Sequence, residues 1–384
     1  MNNGIRGRTQ RFALSILLAL ACQLALATSA MTSNPAATPL ASSSAGSSVL
    51  TARDMRMKPL RGFNLGKPPA IVRPAGDFVE LANSGAKLVR VMLNLSRCEG
   101  CSEFGMAPRD MEYLGRVVDE GASRGFKVII NLAPQPGGAR ADYWDDGVLK
   151  ASIKKHWLVI AKTYKGNPVV AGYDLVNEPN PLRKYPLHGG ALWRDFAEEL
   201  ITAIRKVDPD HLIVFEPAPG ALPKGFDDLV PLPFDNVAYS VHFYEPHQLT
   251  HQGLPGFEGA GEYPGSAGLL RGRWDKDRLR QSLEPVRRFA QRYSVPIYVG
   301  EFSFIRSAPN DSAYRYVRDA ISLFENEGWS WTYHAFRESP EWDAELPPQT
   351  PRNVSRERRS QERTPNAPLI KLLSQCFHRP EDCR

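Results

Sequence analysis

Outside its first thirty residues the chain has little excess charge of either sign. Of the positive charges that give the 384-residue sequence a net +6, Arg6, Arg8 and Arg11 fall in that stretch, which holds no acid, leaving +3 for the rest. So small and dispersed an excess gives no ground for a nucleic-acid partner. The sequence also lacks an apolar run of the about 20 residues that a membrane span needs. The run from Phe12 to Ala21 is short and no stop-transfer charge follows it. A glycine-rich phosphate turn is missing too: Gly62-Phe63-Asn64-Leu65-Gly66 after the first strand does not supply one, which argues against a doubly wound nucleotide-binding fold. No second CxxC accompanies Cys98-Glu99-Gly100-Cys101, and His242, His247 and His251 match no metal-ligand spacing. No metal or cofactor is implied.

What is there begins with a processing signal. Arg6, Arg8 and Arg11 precede the apolar run, and Ala25-Leu26-Ala27 offers a small-x-small cleavage site, so residues 1–27 read as an export signal. The product is then secreted or periplasmic. Lipid attachment at Cys22 is not expected, because Leu24 to Ala27 continue apolar beyond it. Residues 28–55 read as a tether whose Ser, Ala, Thr and Pro cannot bury enough surface to fold. The folded domain is expected over 56–384. Four cysteines remain after the signal, and two local disulfides, Cys98 with Cys101 and Cys376 with Cys383, are expected in place of a metal site. Four cysteines allow three pairings, and the sequence does not choose among them.

From Arg56 onward short β-branched runs alternate with helical patterns. Strands are expected at 60–65, 87–93, 126–132, 169–176, 211–215, 237–243, 296–299 and 329–336. Helices are expected at 77–85, 109–124, 147–165, 191–207, 276–293, 313–327 and 364–373, with a long Gly-rich loop over 245–272. Eight strands in that rhythm fit a single (β/α)8 barrel. Its active site belongs at the carboxyl ends of the strands.

The fourth strand ends in Asn177-Glu178-Pro179, and the proline stops ladder pairing there. The seventh ends in Gly300-Glu301-Phe302. Facing each other across a barrel mouth, Glu178 and Glu301 are two carboxylates that can flank one bond, as glycoside hydrolysis requires. With Arg61-Gly62-Phe63-Asn64-Leu65-Gly66, Arg90 and His242-Phe243-Tyr244, these motifs make the chain from about Arg56 to Phe336 resemble glycoside hydrolase family 5, the cellulase family. The resemblance implies a retaining mechanism with Glu178 as acid/base and Glu301 as nucleophile. It implies that Asn177 binds the sugar hydroxyl beside the reacting carbon and that Tyr244 donates to Glu301. Arg90 would hold Glu301 ionised, and His242 would line the site beside Glu178.

Two positions depart from the family. The third strand reads Asn131-Leu132-Ala133-Pro134, without the usual histidine, and His334 stands where a sugar-stacking tryptophan is usual. Trp331 or Trp329 is the expected substitute, or His334 itself meets the sugar. For Trp274, Trp331 and Trp342 core packing is the default, and Glu216 reads as pocket-lining or structural. The expected protein is a monomeric, exported endo-β-1,4-glucanase acting on a β-linked polysaccharide. Other β-glycans such as mannan, transglycosylation, and a catalytically silent glycan-binding barrel are the alternatives.

Overall fold

A computed structural model describes residues 48–66, 74–97, 104–134, 147–259, 261–267 and 270–384. The export signal, Cys22, most of the tether and the Cys98–Cys101 pair lie outside these residues. Eight parallel strands close on themselves: β1 (Arg61–Gly66), β2 (Leu88–Arg97), β3 (Lys127–Pro134), β4 (Val170–Asp174), β5 (Leu212–Phe215), β6 (Val237–Phe243), β7 (Ile297–Phe302) and β8 (Ser330–Tyr333). Closure is made by β1, which pairs with β8 through Arg61 and Trp331 and with β2 through Gly62 and Leu88. This is the (β/α)8 barrel, and its strands are buried on both faces, which is why they read as near-continuous apolar runs.

Side chains alternate between the barrel interior and the helix layer. Leu88, Leu212, Val214, Ala238 and Tyr298 fill the bottom of the interior with Ile129 and Ala171, in a cluster separate from the outer core. Two residues further up, the same inward rows turn polar, with Arg90 on β2, Glu216 after β5 and Ser240 then His242 on β6. The strand pattern thus makes an apolar plug below and a charged layer above.

Helix α1 (Ala52–Met57) precedes β1, and the outer layer is built by helices α2 (Ala75–Asn83), α3 (Pro108–Arg124), α4 (Gly147–Tyr164), α5 (Gly189–Val207), α6 (Glu284–Tyr293), α7 (Ser312–Glu327) and α8 (Pro368–His378), with a shorter one at Lys276–Ser282. Four features differ from the sequence reading. The helix expected over 276–293 is interrupted at Leu283, because Pro285 has no N–H and its ring crowds the preceding turn. The closing helix begins at Pro368, a residue suited to a first helical turn, and runs on to His378. The loop over 245–272 contains an antiparallel hairpin, Gly265–Ala267 with Leu270–Trp274. Finally, α1 forms inside the expected tether. Thr51 and Asp54 make a reciprocal capping box there, and Met55 joins the apolar plug at 1% exposure.

Cys376 and Cys383 are joined by a disulfide with Cα atoms 5.7 Å apart, tying the end of α8 to the chain terminus. Among the described residues no helix is long and apolar enough to cross a membrane.

Candidate active site

Arg90 is the hub of the charged layer. It is fully buried, and each face of its guanidinium fork is occupied. Nε donates to Asp174 Oδ2 at 2.7 Å, Nη1 to Glu301 Oε1 at 2.8 Å and Asn64 Oδ1 at 3.1 Å, and Nη2 to Glu216 Oε1 at 2.8 Å and Asn177 Oδ1 at 2.9 Å. An arginine is suited to this because its planar fork keeps its charge when buried and meets several acceptors at once. By taking the Asn177 carbonyl oxygen, Arg90 also fixes the amide's orientation, so that its NH2 is the end left to donate.

Glu301 ends β7 at a register shift between Val299 and Glu301 that turns it into the mouth. Its second oxygen accepts from the Tyr244 hydroxyl at 3.0 Å. Burial would raise the pKa of this carboxyl, but His242, His334, Arg90 and the Tyr244 hydrogen bond outweigh it and hold the group at about 2. Glu178 lies opposite, more open to solvent, and its Oε1 is 2.9 Å from His242 Nδ1. Side-chain oxygens of Glu178 and Glu301 and one nitrogen of His242 all lie within 4.8 Å of one another. By distance alone those three groups could ligate a cation. The arrangement is poor for one, since both oxygens of Glu301 already face donors and one donor is itself a cation.

His242 reaches this position because Gly300 leaves space: a Cβ there would sit 2.9 Å from His242 Nε2 and 2.6 Å from Ser240 Oγ. Burial disfavours its charged form, but Glu216, Glu301 and Glu178 more than compensate and push its pKa well up. His334 follows β8, with Nδ1 3.8 Å from Glu301 Oε2 and Nε2 3.8 Å from Glu338 Oε2. Trp342, Tyr244, His247, His251 and Phe257 form a ring cluster beside it.

The structure therefore gathers Glu178, Glu301, Arg90, Asn177, His242, Tyr244 and His334 at one barrel mouth. It does not bring Trp331 there, a correction to the sequence reading. Trp331 is fully buried in the helix layer, stacked on Phe377 at 5.3 Å and donating to Glu325 at 2.7 Å. Trp329 is likewise buried, against Phe324. Of the tryptophans considered, Trp342 is the one beside the site. Ala133 is buried at the end of β3, in register with Asn94 on β2. Asp174, for which no role was expected, enters the layer, and so does Glu216, expected as pocket-lining or structural. The echo of Glu178-Pro179 in Glu216-Pro217 was the available signal for the second.

The family profile described as cellulase (glycosyl hydrolase family 5) matches residues 55–339. Among curated proteins the chain is 25% identical to a β-xylosidase of Phanerodontia chrysosporium, over 61% of this chain and about half (49%) of the relative. It is 23% identical to endoglucanase C of Acetivibrio thermocellus, over 67% of this chain and 82% of the relative. In fold it is similar to Thermotoga maritima Cel5A, solved with cellobiose (TM-score 0.68, 20% identity, 84% of this chain and 99% of that one). It is also similar in fold to the cellulose synthase subunit CcsZ of Clostridioides difficile (TM-score 0.65, 21% identity, 82% and 99%). With a profile match that runs through every barrel strand, the chain belongs to glycosyl hydrolase family 5, the cellulase family, and is a retaining glycosidase.

Proposed function

We propose that this glycosidase cleaves a β-linked polysaccharide, most simply a β-1,4-glucan, with Glu301 as nucleophile and Glu178 as acid/base. The observation that carries the reading is the asymmetry between the two carboxylates. Glu301 is buried and held ionised by Arg90 and Tyr244, whereas Glu178 is open to the mouth, a few ångströms away. A short carboxylate gap belongs to the retaining class, since an inverting pair leaves room for water at about 6.5–9.5 Å.

In the first step Glu301 bonds to the anomeric carbon while the glycosidic C–O bond breaks, and Glu178 gives its proton to the departing oxygen. In the second, water gives a proton to Glu178 and its oxygen displaces Glu301 from that carbon. Arg90 and Tyr244 lose and regain a full negative charge opposite them during this cycle. The Asn177 amide, set by Arg90, is placed by this reading to donate to the sugar hydroxyl next to the reacting carbon. No cofactor enters.

The sugar itself is chosen by the pocket, not by the carboxylates. His334 in place of a stacking tryptophan and Ala133 in place of a histidine change that pocket, which favours keeping β-mannan beside β-glucan as a substrate. The N-terminal arginines and apolar run support export, as does a disulfide.

The test is hydrolysis of soluble β-glucans and mannans by protein recovered from an exporting host, alongside Glu301→Gln. Sugar release should fall about 10³-fold or more in the variant, and the wild-type N-terminus should lie just after Ala27. Equal rates for the two proteins would overturn the assignment, and an intact N-terminus would overturn export.

A further inference from the structure

Glu216 is buried at 1% exposure, and both its oxygens are engaged. Oε1 accepts from Arg90 Nη2 at 2.8 Å and lies 3.3 Å from His242 Nε2, an ion-pair distance. Oε2 accepts the backbone N–H of Glu178 at 2.6 Å. Its own carbonyl takes the indole N–H of Trp193 on α5 at 2.7 Å, which anchors the end of β5 to the helix layer. We propose that Glu216 is a positioning residue of the reaction, tying the backbone of Glu178, the imidazole of His242 and the guanidinium of Arg90 into one unit that orients the acid/base. The proposal rests on the reading of Glu178 given above.

Two observations separate this role from that of a mere counter-ion. The first is backbone conformation. Glu178 has φ +47°, a left-handed conformation that a residue with a Cβ adopts at a cost and keeps where its surroundings enforce it. The Glu216 carboxylate receives the amide at that point, a charge-assisted bond on the residue whose side chain must be aimed.

The second is charge. Arg90 already meets the carboxylate of Glu301, so Glu216 is not needed to neutralise it. A further buried negative charge is expensive unless a cation answers it, and the cation within reach is His242. Its surroundings are Glu178 and Asp174 on or after β4, Glu216 after β5, Tyr244 after β6, Glu301 on β7, Arg90 on β2 and His334 after β8. With a proton on Asp174, whose pKa burial and the nearby Glu216 raise to about 8, and with His242 charged, Glu216, Glu301, Arg90 and His242 sum to zero. In that state His242 Nδ1 carries hydrogen and donates to Glu178 Oε1. Without Glu216, a neutral imidazole with a bare Nδ1 would compete for the very proton that Glu178 must deliver to the leaving group.

The test is Glu216→Gln, which keeps the shape and removes the charge, read on two aryl β-glycosides that share a sugar and differ in leaving group. Cleavage of a phenyl glycoside, which needs a proton, should fall about 10²-fold in kcat/KM. Cleavage of a dinitrophenyl glycoside, which does not, should fall far less. Equal losses on both, or none, in a variant that melts like the wild type would overturn the proposal. Ring-nitrogen NMR of His242 gives an arm that needs neither activity nor a stable variant. The wild type should show both nitrogens protonated near neutral pH, and a neutral ring there would overturn it. If the wild type cleaves neither glycoside and no β-glycan polymer, it is the acid/base reading that fails, and the NMR arm still decides whether His242 is the charged group that answers Glu216.

Discussion

Glu301 shows how a buried carboxylate is kept ready for attack. Burial alone would favour its neutral form, yet the cationic neighbours and the Tyr244 hydroxyl bring it to about 2. It stays ionised through any practical assay range, so Glu301 does not set the acid limb of the wild-type pH profile. Removing the hydroxyl in Tyr244→Phe withdraws a hydrogen bond to a charged group, worth about 1.5–3 kcal/mol, so kcat/KM should fall by about 10–10²-fold. Glu301 should also become easier to protonate, and the acid limb should not move below that of the wild type. A variant with unchanged kcat/KM would contradict the assigned contact. At this scale the sequence made visible the residues that sit in motifs at strand ends. Asp174 was not legible as part of the site, and Glu216 was legible as pocket-lining or structural but not in its contacts, because a buried carboxylate is defined by its partners. Those of Glu216 lie 126 and 38 residues away in the chain, on β2 and beyond the end of β4.

Elements were legible to the extent that one local rule governed them. Parallel strands buried on both faces gave apolar runs, and α3 gave an apolar stripe closed by Gly125 in the left-handed conformation. The break at Leu283 was foreseeable from Pro285, whose missing N–H outweighs a continuous apolar pattern. Trp331 illustrates a different rule, that of parity. Thr332 points inward, its hydroxyl donating to the Gly300 carbonyl at 2.6 Å, so its neighbours Trp331 and Tyr333 must face the helices. A residue three before His334 lies on the opposite face of the strand, and this excludes Trp331 from the sugar. It follows that Trp331→Ala should cost about 3–5 kcal/mol of stability while leaving KM for glycan unchanged in the fraction that remains folded. Thermal melting and steady-state kinetics of that variant separate the two effects. A raised KM with an unchanged melting temperature would restore Trp331 to the sugar site.

For the molecule as a whole, the shifted groups give stability a defined pH dependence. Glu301 and Asp208 titrate at about 2 when folded, below their ordinary 4.5 and 3.8. For Asp208, bonds from His211 and Tyr173 outweigh burial. Each adds stability above its ordinary value that is lost as pH falls towards 2. His251, pushed down to about 3 by burial and the nearby His247 and His334, adds stability above 6.5 that is lost as pH falls towards 3. Asp174 has the opposite sign: its folded pKa is raised from 3.8 to about 8, so its contribution is full below 3.8 and lost as pH rises to about 8. His242, raised above 6.5, likewise withdraws stability on the alkaline side. Melting temperature should therefore be flat between about 4.5 and 6.5, fall most steeply below 4 and decline from about 6.5 to 8. A maximum at or above pH 8 would contradict the charge layout of the barrel mouth. The central claim, that this mouth is a retaining site worked by Glu301, is tested most directly by trapping the covalent intermediate. A 2-deoxy-2-fluoro β-glycoside with a dinitrophenyl leaving group should inactivate the enzyme and leave one sugar on the peptide containing Glu301, detected by mass spectrometry after digestion. A sugar found on any other residue, or full turnover of the reagent without inactivation by a protein that cleaves glycan, would contradict it.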